Sequence, residues 1–366
     1  MKGGIKMNTN VDLINGKGSI NNELAQLLNN KASIGNLRPY IGDDNRSYVT
    51  NLKTGGNPGI DSDWITQSIT TNATLRRDEW KQLDAALIQV ARARLGGVQD
   101  LIDKGLTFKL GNAMGTTVLE THTVGDAMEA SLTMDGITRS RNDRPEFGTE
   151  YLPIPILHVD YEINLRVLEA SRSLGAALDT TSAEMATRRI LEYQEDMLFT
   201  NMTYPFGGGT IYSYVNHPDR NTVNLAVNWD AGACTAALIL ADVQNMKQTS
   251  MDNLHYGPWM LYIPSAYETV MDLDYQTGAV NGQTIRERLL KIGNIQGIKV
   301  IDRLPANNVL LVQMTSNVVR LVDGLGLQNI QWKEEGNFIT KFKTLAIQVP
   351  QIRSDYNNKS GIVHMA

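Results

Sequence analysis

The chain has 366 residues, of which 42% are hydrophobic and 20% charged, the composition of a globular protein large enough for two core-forming units. Its formal net charge of −5 argues against a nucleic-acid-binding protein, because such proteins concentrate Lys and Arg. The single cysteine, Cys234, excludes an internal disulfide framework and a multi-cysteine zinc site, and no apolar run reaches the roughly 18 residues that span a bilayer.

The N-terminal segment is predicted to be an arm. Its first sixty residues hold eleven Asn and nine Gly without a sustained apolar period, so the segment cannot bury enough apolar surface to fold alone. We expect it to be ordered only where it lies on something else, such as a neighbouring subunit. The N-terminal residues also lack the apolar core of a secretory signal, which favours a protein kept in a reducing cytosol.

An amphipathic helix is predicted after the arm, followed by a polar excursion. Trp80, Leu83 and Leu87 lie near one helical stripe, and Gly96-Gly97 is predicted to end the helix. From Leu106 to Tyr151 the chain is polar and rich in Thr and Gly, with local alternation. This pattern predicts a long two-stranded excursion that is marginal alone and should rest on a partner.

Residues 152–200 are predicted to form a strand, a short helical turn and a long helix. Pro153 and Pro155 favour an edge or solvent-facing strand, because neither residue donates to a ladder. Thr181-Ser182-Ala183-Glu184 has the pattern of a capping box at the start of the helix. The apolar stripe of this helix is formed by Ala183, Ala186, Ile190, Tyr193 and Met197.

The sequence from about residue 233 onwards predicts an α/β lobe followed by a strand that returns to an earlier sheet. Helices and strands alternate from about 233 to 330, including a buried strand at Trp259–Ile263 and a second capping box at Thr284–Glu287. The tail, Asn337–Val349, predicts a long strand that pairs back into an earlier sheet. The predicted fold class is therefore α+β.

The sequence offers no catalytic, cofactor or metal site. The histidines, His122, His158, His217, His255 and His364, have no metal-ligand spacing, and Cys234 lies in an Ala-rich stretch typical of a small buried apolar residue. The run Gly207–Gly209 lacks the Lys-Ser/Thr of a phosphate-binding loop and is predicted to be a flexible connector.

A basic cluster marks the predicted tip of the excursion. It consists of Arg139, Arg141 and Arg144. Two interpretations remain open, a solvated loop and an inter-subunit contact to an acidic neighbour.

The order of these parts resembles the Hong Kong 97-type major capsid fold, which tailed-phage capsids share with encapsulin nanocompartments. EWKQLD at 79–84 with ARARL at 91–95 looks like the first helix of encapsulin-type shells. Their strand and spine helix resemble two segments of this chain, LPIPI at 152–156 and the helix that ends with EYQEDMLF at 192–199. GPWMLYI at 257–263 and LGLQ at 325–328 resemble the axial lobe.

This resemblance implies a domain organisation. The implied parts are an N-terminal arm at 1–74, the first helix of the peripheral domain at 75–105, an extended loop at 106–151, the peripheral domain with its spine helix at 152–232, the axial domain at 233–330, and the return strand of the peripheral domain at 331–366. The long arm departs from encapsulins, which usually begin close to the first helix, and is commoner among phage capsid proteins.

The resemblance implies a structural protein without cofactor or enzymatic activity. We expect a major capsid protein that self-assembles, as pentamers and hexamers, into the icosahedral head shell of a tailed bacteriophage and encloses double-stranded DNA without sequence-specific binding. Portal, scaffolding and decoration proteins would be its partners and no membrane would be involved; it would assemble in the host bacterial cytoplasm and reside in the virion. The alternative is an encapsulin-type shell protein that encloses a cargo enzyme. A soluble enzyme is disfavoured because the sequence carries no recognisable catalytic, cofactor or metal motif.

Overall fold

A computed structural model describes residues 40–42, 44, 46–52, 64–69, 75, 76, 78–83, 96–124, 134, 147–174, 180–275, 282–333, 339–355 and 357–366. The chain divides into two units, each assembled from separate stretches of sequence. The first unit comprises Met1–Arg94, Ile156–Glu192 and Leu325–Ile347, and the second comprises Leu95–Pro155, Tyr193–Gly324 and Gln348–Ala366.

Strands and helices are both abundant in the described part of the chain. The strands are β1 Tyr40–Ile41, β2 Ser47–Leu52, β3 Trp64–Ile69, β4 Thr107–Lys109, β5 Val118–Val124, β6 Phe147–Pro153, β7 Leu157–Asn164, β8 Thr203–Phe206, β9 Gly209–Tyr212, β10 Asn221–Val223, β11 Trp259–Pro264, β12 Ile295–Ile301, β13 Val309–Gln313, β14 Val319–Lys333, β15 Ile339–Ile352 and β16 Ile362–Met365. The α-helices are α1 Gly97–Asp103, α2 Leu165–Leu174, α3 Thr181–Phe199, α4 Ala236–Asp252, α5 Glu268–Met271 and α6 Ile285–Leu290, with a 3₁₀ turn at Ser265–Tyr267. Residues 78–83 are also helical, at the start of the first predicted helix, whose later residues lie outside the described ranges.

The first unit contains a three-stranded antiparallel sheet, β1-β2-β3, within the predicted arm. Tyr40 packs against an apolar cluster of this unit, and the amide of Ile41 donates to the carbonyl of Leu75 over 3.0 Å. These strands therefore lie on another part of the chain, which supplies the apolar surface that the segment lacks. The arm's role towards neighbouring subunits stays a prediction.

The core of the first unit forms where the C-terminal part of the chain pairs with β7. β15 runs antiparallel to β7, with Phe342 opposite Tyr161 and their rings stacked at 5.3 Å between centroids. Trp80 meets Phe342 edge-on at 6.3 Å. The predicted return of the tail strand into an earlier sheet is confirmed, and β15 gains its partner from a strand far away in sequence.

The long helix α3 begins at Thr181, where the capping box was predicted. Its Glu184 accepts a 2.8 Å hydrogen bond from the Thr180 hydroxyl, so the polar contact at the helix start involves the residue before the predicted cap. Ala183, Ala186, Ile190 and Met197 are buried as predicted, but Tyr193 is 44% exposed. Gln194 takes the buried position instead, because its side-chain amide donates to Gln348 Oε1 over 2.9 Å.

The second unit is built on a five-stranded sheet ordered β10-β16-β13-β11-β12. Along β11, Met260 and Tyr262 belong to one apolar cluster, whereas Trp259, Leu261 and Ile263 belong to another. Both faces of the sheet are therefore covered, which explains why β11 reads as a continuous apolar run. The interior strand β16 pairs antiparallel with β13 and parallel with β10.

Local capping signals position the helices of this lobe. Thr235 caps α4 by accepting from the amide of Leu238, and Thr284 caps α6 by accepting from the amide of Glu287 over 3.2 Å. The predicted N-cap at Thr284 is confirmed, without the return bond from the Glu287 side chain that a full capping box has. α1 begins at Gly97. The end of the preceding helix lies outside the described residues, so the prediction that the Gly96-Gly97 pair ends it stays a prediction.

The predicted excursion contains a two-stranded antiparallel ribbon, β5–β6, whose pairs run from Val118↔Pro153 to Val124↔Phe147. Before the ribbon, β4 pairs in parallel with β14. The hairpin β8–β9 packs against the ribbon so closely that a Cβ on Gly209 would lie 2.0 Å from the carbonyl oxygen of Tyr151. The ribbon and the hairpin therefore support each other.

Candidate functional site

The residues singled out from the sequence do not converge on a catalytic or metal centre. In the described part of the chain, no group of three or more His, Cys, Asp or Glu side chains is placed to hold a metal ion. Cys234 is partly buried, its thiol donates to the carbonyl of Thr235, and burial raises the pKa of the thiol, with Asp242 adding to the effect. A thiol held protonated is a poor nucleophile.

The glycine run at 207–209 is a structured turn. Gly207 and Gly208 have φ values of 59° and 84°, which side-chain-bearing residues rarely adopt, and they connect β8 to β9. The run therefore connects the two strands at the tip of a hairpin, and its predicted flexibility stays a prediction. Arg139, Arg141 and Arg144 lie outside the described residues, so the predicted contact stays a prediction.

A buried carboxylate fixes the start of α1 in the second unit. Glu195 Oε1 accepts hydrogen bonds from the amides of Gly96 and Gly97 over 2.6 and 2.8 Å. These are amides that a helix N-terminus leaves without an internal partner. Burial raises the pKa of Glu195, and the two amide bonds partly offset that shift. The role of Glu195 is structural, and its 98-residue separation from Gly97 hid it from sequence analysis.

A second polar cluster lies on the face of the five-stranded sheet. Asp100 on α1 accepts from the Tyr262 hydroxyl over 3.0 Å and pairs with Lys299. Burial raises the pKa of Tyr262, and the negative charge of Asp100 contributes. The cluster joins α1 to β11 and β12 and leaves no free nucleophile.

Two of the five histidines, His217 and His364, flank one arginine. Arg220 Nε donates to His364 Nδ1 over 3.2 Å, and Arg220 Nη1 donates to the carbonyl of His217 over 2.8 Å. Since Nδ1 of His364 is an acceptor, the proton resides on Nε2, which donates to Asn308 Oδ1 over 2.6 Å. His217 Nδ1 likewise accepts from the amide of Asp219 over 3.2 Å. Both rings are therefore held neutral.

These histidines predict a loss of stability in mild acid. Burial, together with the charge of Arg220, lowers the pKa of each to about 4, although Asp219 partly opposes the shift at His217. These histidines take up protons near pH 6.5 in the unfolded chain but only near pH 4 in the folded chain. Their contribution to the free energy of unfolding is therefore fully present above about pH 6.5 and is lost as the pH falls towards 4. Between pH 7 and pH 5 we expect a loss of about 2 kcal/mol per histidine.

The measurement is urea unfolding at pH 7 and pH 5 for the unaltered chain, His364→Asn and, as control, the exposed His122→Asn. Over this interval the His364→Asn chain should lose about 2 kcal/mol less free energy of unfolding than the unaltered chain. The control His122→Asn should lose as much as the unaltered chain. An equal pH dependence in all three chains would refute the assignment.

An aromatic edge is exposed where the hairpin meets the ribbon. We use this term for Tyr151 on β6 with Tyr204 and Phe206 on β8, which are 45%, 39% and 51% exposed. All four residues of β8 are exposed. Exposed aromatic side chains in a group are characteristic of interaction surfaces, so this edge is the strongest candidate for contact with another molecule. The predicted excursion located the part of the chain that contains the ribbon. The sequence did not show that the hairpin packs against the ribbon.

No helix in the described ranges is long and apolar enough to span a membrane.

Known proteins provide the context for this fold. The chain is 22% identical over 222 residues to the "Type 1 encapsulin shell protein EncA" of Myxococcus xanthus (strain DK1622), covering 58% of this chain and 69% of that protein. Its structure is similar to a virus-like particle from Pyrococcus furiosus, with a TM-score of 0.56, 18% identity, and coverage of 78% of this chain and 99% of that one. It is also similar to the capsid of Myoviridae Phage XM1, with a TM-score of 0.53, 7% identity, and coverage of 68% and 85%.

The fold is the Hong Kong 97-type capsid fold, as predicted. At the level of sequence families, one family model, "Family of unknown function (DUF6260)", matches residues 69–365. Because this match spans most of the chain, the protein is a member of the DUF6260 family.

Proposed function

We propose that this chain is a shell-forming protein whose identical copies, as pentamers and hexamers, close into an icosahedral particle. The observation that carries the proposal is the extent of the likeness in fold, which covers 99% of the Pyrococcus furiosus virus-like particle chain. This likeness involves both units of the chain, because 78% of its residues are matched. The function is therefore structural assembly.

The stability and the exposed aromatic side chains of the ribbon and its hairpin also support assembly. A two-stranded ribbon is marginally stable in isolation, and here it gains support from β8–β9 while leaving Tyr151, Tyr204 and Phe206 exposed. A second copy of the chain would cover this aromatic edge. Within the proposal, Arg139, Arg141 and Arg144 contact an acidic surface of the neighbouring copy.

Within this class, we place first the major capsid protein of a tailed bacteriophage. Its likeness to the capsid of Myoviridae Phage XM1 and the long segment before the first helix support this assignment. The shell would enclose double-stranded DNA, and the net charge of −5 suits a wall that does not grip it. Portal, scaffolding and decoration proteins would complete the virion, assembled in the host bacterial cytoplasm.

The second candidate is an encapsulin-type shell that encloses a cargo enzyme. It is favoured by the 22% identity over 222 residues to the encapsulin shell protein EncA. The two candidates share one fold and one assembly principle. They differ in what the particle contains.

Purified particles from the natural source test the assignment through their contents. For a phage capsid we expect nuclease-protected double-stranded DNA and one portal-bearing vertex under the electron microscope. For an encapsulin we expect a folded cargo protein that co-purifies in fixed proportion and no genome. Particles with protected DNA and no cargo enzyme would eliminate the encapsulin, and the reverse composition would eliminate the capsid.

A further inference from the structure

Two arginines, Arg320 on β14 and Arg353 just after the end of β15, lie close to each other in the second unit. Arg320 Nε donates to Gln351 Oε1 over 2.6 Å, and the amide of Arg353 donates to the carbonyl of Val318 over 2.8 Å. These two hydrogen bonds join residues 318–320 to residues 351–353 at the end of β15. The charge of Arg353 acts on Arg320, so the two side chains are near each other.

The ribbon brings a carboxylate to the same place. Gln351 Nε2 donates to Thr121 Oγ1 over 3.3 Å, and Thr121 stands directly opposite Glu150 across the ribbon. Three separate stretches of chain therefore meet here. We call Arg320, Arg353, Gln351, Thr121 and Glu150 the arginine cluster.

The charges of the arginine cluster are incompletely compensated. Nε of Arg353 is buried without a hydrogen-bond acceptor, and within the described ranges neither arginine forms an ion pair with a carboxylate. Arg320 is placed over the ring of Phe108, with 4.5 Å between the guanidinium carbon and the ring centroid. Burial lowers the pKa of Arg320, and the charge of Arg353 lowers it further. The two cations therefore repel each other across a partly desolvated site.

Glu150 is an imperfect counter-charge. Burial raises the pKa of its carboxyl, Arg353 opposes that shift only in part, and the nearby negative charge of Asp219 adds to it. The carboxylate is thus near enough to feel Arg353 but forms no ion pair with it in the described structure. A mobile anion with better geometry would compete with Glu150 for the guanidinium groups.

We propose that Arg320 and Arg353 form a binding site for a small oxyanion such as phosphate. A guanidinium presents a planar fork of N–H donors that matches two oxygens of one anion. An anion between the two groups supplies an acceptor near the buried Nε of Arg353 and relieves the repulsion between the cations. Gln351 and Thr121 hold the site by joining β15 to the ribbon.

The test is titration of the purified full-length chain with inorganic phosphate, followed by calorimetry and by thermal unfolding, against sodium chloride at equal ionic strength. We expect saturable phosphate binding and an unfolding temperature that rises with phosphate but not with chloride. Arg353→Gln should weaken binding roughly tenfold or more, since a charge-assisted hydrogen bond is lost. Arg188→Gln removes the same charge from an exposed helical pair with Glu192 and should leave binding unchanged.

A second variant separates binding from a merely structural role. Glu150→Gln keeps the shape of the side chain but removes the competing charge, so phosphate affinity should rise about threefold or more. This gain does not depend on the folding of the arginine variants. Absence of saturable binding to the unaltered chain, equal binding by Arg353→Gln, or unchanged or weaker binding by Glu150→Gln would each overturn the proposal.

Discussion

Replacing Val363 by Asp is expected to abolish cooperative folding of the second unit. Val363 is fully buried in β16, the strand between β10 and β13 in the five-stranded sheet, where it stands opposite Leu311. Its side chain lies in an apolar cluster with residues of α4 and β11. An unpaired carboxylate there should cost more than about 4 kcal/mol, since it must be desolvated or protonated to remain buried.

The matched control is Thr222→Asp on the neighbouring edge strand. Thr222 is exposed and pairs with His364 in the same sheet, so the same charge should cost less than about 1 kcal/mol there. Circular dichroism and urea unfolding of the two variants provide the measurement. Similar stability of Val363→Asp and Thr222→Asp would show that Val363 is not buried in an interior strand of the sheet.

Replacing Gly209 by Ala should detach the hairpin from the ribbon. The added Cβ would lie 2.0 Å from the carbonyl oxygen of Tyr151 and 3.0 Å from its Cβ. Because the nearest obstacle is backbone, no rotation of a side chain relieves the clash, and we expect a loss of about 3 kcal/mol. The hairpin at Thr203–Tyr212 should also become sensitive to limited proteolysis.

Gly232→Ala is the control for this change, because nothing lies within 4 Å of its added Cβ. It should alter the free energy of unfolding by less than about 1 kcal/mol and leave proteolysis of the hairpin unchanged. If Gly209→Ala behaved like Gly232→Ala, the close contact between β9 and the ribbon would be wrong. The aromatic edge, which depends on that contact, would then lose its support as an assembly surface.

Features that depend on nearby residues were predictable from the sequence. The cap at Thr284 and the buried run of β11 follow from a few consecutive residues, and both are found in the structure. The return of β15 was also predicted, because a long apolar strand at the end of a chain requires a partner. The resemblance to capsid proteins predicted the Hong Kong 97-type fold, which is confirmed.

Features that depend on distant residues were not predictable. No local signal marks the start of α1 at Gly97, where Glu195 supplies the acceptor for the amides of Gly96 and Gly97. Tyr193 fitted the apolar stripe of α3, but Gln348 gives Gln194 a buried partner, so the stripe turns away from Tyr193. The contact between Arg220 and His364 joins residues 144 positions apart, and no spacing in the sequence signals it.

Sedimentation velocity of the purified full-length chain, with electron microscopy of the same sample, tests the proposed function most directly. A shell-forming protein should give capsomers or closed shells of many copies, sedimenting far faster than the 40.5 kDa chain. A single species of 40.5 kDa that persists at high concentration, without rings, sheets, tubes or shells, would contradict the proposed function.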